Sequence, residues 1–118
     1  MATTTNVSSE ALFRQILRAP KVAMPTMLLG VGLLTGIVAT WYFALQGVLP
    51  LWQGCIINGV LAYWIFSVAH DGIHRAISSM SWLNETVGGI GLFFLLPYAP
   101  MPVARWIHLQ HHRFTNAE

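Results

Sequence analysis

Charge is what this chain has least of. Its 118 residues include six Lys or Arg and four Asp or Glu, 8% in all, where a soluble domain carries about a quarter. Between Lys21 and Asp71 no Asp, Glu, Lys or Arg occurs, and a membrane-spanning helix needs only about 20 apolar residues. That run, with a mean hydropathy of +0.58, excludes a soluble globular domain. The single cysteine excludes a disulfide-stapled secreted scaffold, and 55% hydrophobic residues exclude a disordered chain. The net charge of +2 is spread over few residues, and no basic cluster is long enough to follow nucleic-acid phosphates. Cys55 lies inside the apolar run and is expected to be a small core hydrophobe. Some twenty residues precede the run, which is too long for the h-region of a signal peptide.

What is present is apolar and helical in pattern, and the expected fold class is all-α: a multi-pass membrane protein, a transmembrane hairpin followed by cytoplasmic or interfacial helices. Residues 1–20 form an amphipathic lead-in. Ser8 and Ser9 offer a cap, Glu10 meets the positive end of the helix dipole, and Leu12, Phe13, Ile16 and Leu17 line one face opposite Arg14, Gln15 and Arg18. Such a helix can lie on a membrane surface or pack on protein, and both remain open. A first span is expected at 22–45 and a second at 51–69, with Gln46, Gly47 and Pro50 turning the chain and Trp41, Tyr42 and Trp52 flanking the turn. Gly32 and Gly36 make a GxxxG pair suited to helix packing, and Asn58 is expected to hydrogen-bond between helices.

Arg14, Arg18 and Lys21 precede the first span, Arg75 follows the second, and the turn between them is uncharged. The positive-inside rule therefore puts both ends of the hairpin, and residues 70–85 after it, in the cytoplasm. Residues 86–104 are uncharged too, but Pro97, Pro100 and Pro102 interrupt them and Gly88, Gly89 and Gly91 loosen their start. This stretch is too short to cross twice, and a single crossing would separate Arg75 from Arg105, so a re-entrant or interfacial segment is expected before the final segment, 105–118.

All five histidines fall in two short groups, His70-Asp71-Gly72-Ile73-His74 and His108-Leu109-Gln110-His111-His112. On helices, positions i and i+4, and i, i+3 and i+4, share a face. Five imidazoles so arranged at a membrane edge point to metal binding, and imidazole suits iron, zinc and copper. A structural zinc site needs only four ligands, commonly with cysteine. The HExxH pattern of zinc proteases is absent, and clustered triplets are not the pattern of haem axial ligands. A histidine-rich binuclear site for dioxygen chemistry fits best. Asp71 either holds an imidazole by its other nitrogen or ion-pairs with Arg75 at i+4.

These groups resemble the histidine boxes of the membrane-bound fatty acid desaturase and hydroxylase superfamily. His70 and His74 match a first box of HDxxH form. His108, His111 and His112 match an HxxHH second box, continued by Arg113-Phe114-Thr115-Asn116 as in HHxxTN. The resemblance covers mainly residues 60–116. It implies that all five histidines ligate a di-iron centre facing the cytoplasm, with Asp71 and Asn116 supporting ligands from behind. It further implies oxidation of a C–H bond in a membrane lipid or acyl chain by O2. Two electrons would come from ferredoxin, rubredoxin or cytochrome b5 with a reductase. Acyl desaturation is the first expectation. The alternatives are a carotenoid or alkane hydroxylase or ketolase with similar boxes, and a non-catalytic membrane metal- or haem-binding protein. The superfamily carries a third box that this chain does not, so the chain is expected to be an N-terminal fragment, inert and weakly iron-binding alone.

Overall fold

The computed structural model describes residues 9–16, 18 and 20–115. Every regular element among these residues is a helix: α1 (Ser9–Ile16), α2 (Met24–Leu45), α3 (Leu51–Ile73), α4 (Ser81–Leu95) and α5 (Met101–Phe114). Prolines mark the helix starts. Pro25 and Pro102 occupy the first turns of α2 and α5, where a missing N–H leaves nothing unpaired. Between α2 and α3, Gly47 takes φ 71°, a left-handed conformation that a residue without Cβ adopts at no steric cost. The N–H groups of Val48 and Leu49 then return to the Phe43 carbonyl and close the turn.

Helices α2 and α3 are both long and apolar enough to cross a membrane. They pack antiparallel, with Gly30 against Val68, Gly36 against Leu61, and Gly54 against Thr40 and Ala44. Of the GxxxG pair only Gly36 meets a neighbour; a Cβ on Gly32 would have nothing within 4 Å. Helix α4 runs back along α3, so that Gly88 lies on Gly72 and Gly91 on Ala69. The core forms where the three helices meet. Leu33, Ile37, Ile65 and Val68 gather Val87 and Phe94 from α4, and Ala69, Ile73 and Leu92 gather Met101 from α5.

Several side chains lie elsewhere than the sequence suggests. Cys55 is exposed on the outer surface of α3 together with Ile56, Val60 and Trp64. A helix long and apolar enough to cross a membrane need not turn every apolar residue inward. Asn58 does not reach another helix: its Nδ2 donates to the Gly54 carbonyl one turn back at 2.9 Å, and its Oδ1 finds no partner among the described residues. Gly88, Gly89 and Gly91 do not loosen the third apolar stretch. They lie inside α4, two of them at the contact with α3, where close backbone approach offsets poor helix propensity. The helix also begins at Ser81 and ends at Leu95, giving 15 residues or about 22 Å, less than the roughly 30 Å of bilayer hydrocarbon.

The loop after α3 is organised by one buried amide. Asn84 is 1% exposed. Its Oδ1 accepts from the Ile77 and Ser78 N–H groups, and its Nδ2 donates to the Ser78 and Met80 carbonyls. The same loop holds the entry to α2: Ala23 N–H donates to the Ile77 carbonyl, Ser79 N–H to the Pro20 carbonyl, and the Ser78 hydroxyl to the Lys21 carbonyl. In α1, Leu12 and Phe13 are exposed, as is Arg14. The Ser8 cap, Leu17 and Asn116 lie outside the described residues.

Candidate metal centre

Both histidine groups sit at one end of the helical assembly. Helix α3 continues without interruption to Ile73, so His70 is in its last turn and His74 caps it. Helix α5 starts at Met101, which puts His108, His111 and His112 in its second half. Because α4 leaves this end and α5 returns to it, imidazoles separated by more than thirty residues of chain converge.

Four of the five histidines come together. The ligating nitrogens of His70, His74, His108 and His112 all lie within 4.8 Å of one another. Ring centroids are 4.5 Å apart for His70 and His74, 4.9 Å for His74 and His108, and 4.5 Å for His108 and His112. His111 is placed differently. Its nitrogens lie outside this converging group, and its side chain borders an apolar groove.

The tightest contacts are chemically informative. His108 Nε2 lies 3.0 Å from His74 Nε2 and 3.0 Å from His112 Nε2. A neutral imidazole nitrogen carries either one proton or one lone pair, so His108 Nε2 cannot make two full hydrogen bonds at once. Three lone pairs directed at a shared cation remove that conflict. Nitrogens bonded to one ion at about 2.0–2.1 Å lie roughly 3 Å apart or slightly more, so the donor set fits a metal. The environment favours the unprotonated form that a metal needs. Desolvation first, then the charges of His70 and His112, hold His74 below its ordinary value, with Asp71 opposing. Desolvation, followed by the other four histidines with His112 foremost, does the same for His108.

Around the four imidazoles stand groups of other kinds. The Phe66 ring packs on His70 with centroids 5.7 Å apart. Asp71 Oδ2 accepts a 2.7 Å hydrogen bond from the Thr26 hydroxyl at the start of α2; Arg75 stands just past the end of α3 at φ 57°. Arg105 reaches from α5 to the end of α3 and to Glu85 of α4. Neither Thr26 nor Arg105 was singled out by the sequence pattern. Glu85 could have been, as the one acidic residue between Asp71 and Glu118, set in an apolar stretch where a charge needs a partner. Beside the cluster a groove of about 560 Å³ is lined by Phe66, Ile73, Leu92, Leu96, Ile107 and His111, among others.

Comparison with known proteins places the sequence in a family. The fatty acid desaturase family model matches residues 46–118. The chain belongs to the fatty acid desaturase family. It is 34% identical over 79 residues to the sn-1 oleoyl-lipid 12-desaturase of Picosynechococcus sp., covering 67% of this chain and 20% of that protein. It is 36% identical over 90 residues to the Delta(12)-fatty-acid desaturase of Arabidopsis thaliana, covering 68% and 21%. It is 38% identical over 76 residues to an omega-3 fatty acid desaturase of Caenorhabditis elegans, covering 64% and 17%. The chain thus spans about a fifth of the length of these relatives. No solved structure matches it.

Proposed function

We propose that this chain supplies the first two histidine boxes of an O2-dependent fatty acyl desaturase. In this reading His70, His74, His108 and His112 hold one iron, and His111 serves a second iron whose further ligands lie beyond these five histidines. Asp71 supports the cluster from α3, and Asn116 does so from the continuation of the second box. When bound, a di-iron centre would supply the oxidising power that, with O2, two electrons and two protons, takes two hydrogens from an acyl chain and yields a double bond and two waters.

The observation that carries the reading is the convergence of two helical histidine groups beside an apolar groove. The chain's own residues then have distinct tasks. Phe66, Ile73, Leu92 and Ile107 exclude water from the groove and give an acyl chain an apolar wall. His108 borders both groove and cluster, which sets a substrate carbon next to the metal ligands. Helices α2 and α3 cross the bilayer, α4 dips in, α5 returns, and the cluster faces the cytoplasm. There a small electron carrier of the ferredoxin, rubredoxin or cytochrome b5 kind can reach it while the substrate arrives from the lipid.

Fatty acid analysis of cells expressing the full-length gene tests the proposal. New double bonds are expected with the wild type and none with His74→Ala or His112→Ala, since no neighbour fills a ligand position left open. Hydroxylated products would assign the boxes to hydroxylation, and equal products from wild type and variants would refute the metal-site reading.

A further inference from the structure

We propose that Arg105 is a positioning residue that sets the spacing between the two histidine boxes. The proposal rests on the metal-site reading above. The last carbonyls of a helix have no donor within the helix and carry the negative end of its dipole. In α3 these carbonyls lie inside the first box itself. Arg105 Nε donates to the Ile73 carbonyl at 2.9 Å, and its Nη2 donates to the Gly72 carbonyl at 3.1 Å. Its Nη1 pairs with Glu85 Oε1 at 2.5 Å. One edge of the guanidinium grips two successive carbonyls of α3, and its far end is neutralised by α4.

Location makes this more than a cap. Gly72 and Ile73 lie between His70 and His74, and Arg105 is one helical turn before His108 on α5. A single planar side chain, 13% exposed, therefore ties the backbone of box one to the helix of box two beside the 3.0 Å contact of His74 with His108. Lysine could keep the charge and the pairing with Glu85, but it lacks the rigid fork that engages two carbonyls and a carboxylate together. The groups that fix a ligand's orientation commonly change metal affinity about 10- to 100-fold when lost.

Cobalt(II) titration of the purified full-length protein in detergent tests the assignment, read by visible absorption, with circular dichroism as the check on folding. Arg105→Lys and Arg105→Gln are expected to keep their helicity, to bind cobalt about 10- to 100-fold more weakly, and to shift the visible bands. Glu85→Gln keeps the carbonyl contacts and should lose less. Wild-type affinity and spectrum in a folded Arg105→Gln would overturn the proposal. Loss of helicity in both Arg105 variants would overturn it as well, by assigning the arginine to the fold as a whole. A wild type that binds no cobalt, or a His74→Ala variant that binds it equally, would instead refute the metal site on which the proposal rests.

Discussion

At Gly72 and Gly88 two helix backbones meet with no room for a methyl group. A Cβ on Gly72 would lie 2.5 Å from the Gly88 Cα, and a Cβ on Gly88 would lie 2.7 Å from the Gly72 Cα and collide with the Met101 methyl. Because Gly72 is part of the first box, this contact fixes how closely α4 approaches the cluster. Gly88→Ala should destabilise the protein by about 1–3 kcal/mol or more, as overpacking does. Gly89→Ala, whose Cβ meets nothing within 4 Å, should be neutral or slightly stabilising. Thermal unfolding in detergent separates the two. The histidines carry a second residue-scale expectation. His74 and His108 titrate below the ordinary imidazole value of 6.5 in the folded chain, so between that lower value and 6.5 the unfolded chain binds more protons. Stability of the metal-free protein should therefore fall as pH drops through about 6.5 and level off below the folded values. His74→Gln should flatten this dependence; an unchanged pH profile would argue against a crowded cluster. The spacing of His70 and His74 announced a shared face because i and i+4 always share one. The sequence could not show that His111 stands apart. From His108, His112 lies about 40° round the helix one way and His111 about 60° the other, and only packing against α3 decides which of them faces the partner box.

Helices α3 and α5 act as two rulers whose registers must agree. The cluster needs the last turn of α3 and the second half of α5 side by side, and it needs Arg105 to reach the α3 carbonyls from the same face of α5. Inserting one alanine between Ile107 and the second box would turn its imidazoles by about 100° relative to Arg105. Such a variant should keep its helicity and lose metal binding, measured by cobalt or iron content; retained binding would show that α5 does not set the geometry. The hairpin itself was legible in the sequence, because two long uncharged runs on either side of Gln46, Gly47 and Pro50 admit few other arrangements. The start of α4 was harder to read. Ser81 to Glu85 mixes polar residues with Trp82 and Leu83, and Asn84 folds back to hold the Ile77–Met80 loop, a consequence of one buried amide that no hydrophobic period announces. Cys55 and Asn58 lie elsewhere than their sequence context suggests for a related reason: a burial argument suited to water does not say which face of an apolar helix is covered.

Over the whole molecule, an uncharged hairpin carries a polar end, and the short α4 lets the chain leave that end and return to it. The proposed crossing of the bilayer by α2 and α3 puts the turn at Gln46 on the opposite side from Ser79 and Thr115. Cysteines introduced at these three positions, probed with an impermeant thiol reagent, should label Gln46→Cys from outside and the other two from the cytoplasm. Labelling of Thr115→Cys from outside would mean that residues 81–100 cross completely, which would part the two boxes. Iron content per chain of the purified full-length protein tests the shared metal site most directly. The wild type should hold about two irons, following the binuclear reading, and His70→Ala, His74→Ala, His108→Ala and His112→Ala should each lose at least one, because each removes a ligand of the same ion. Wild-type iron content in all four variants would contradict the shared site.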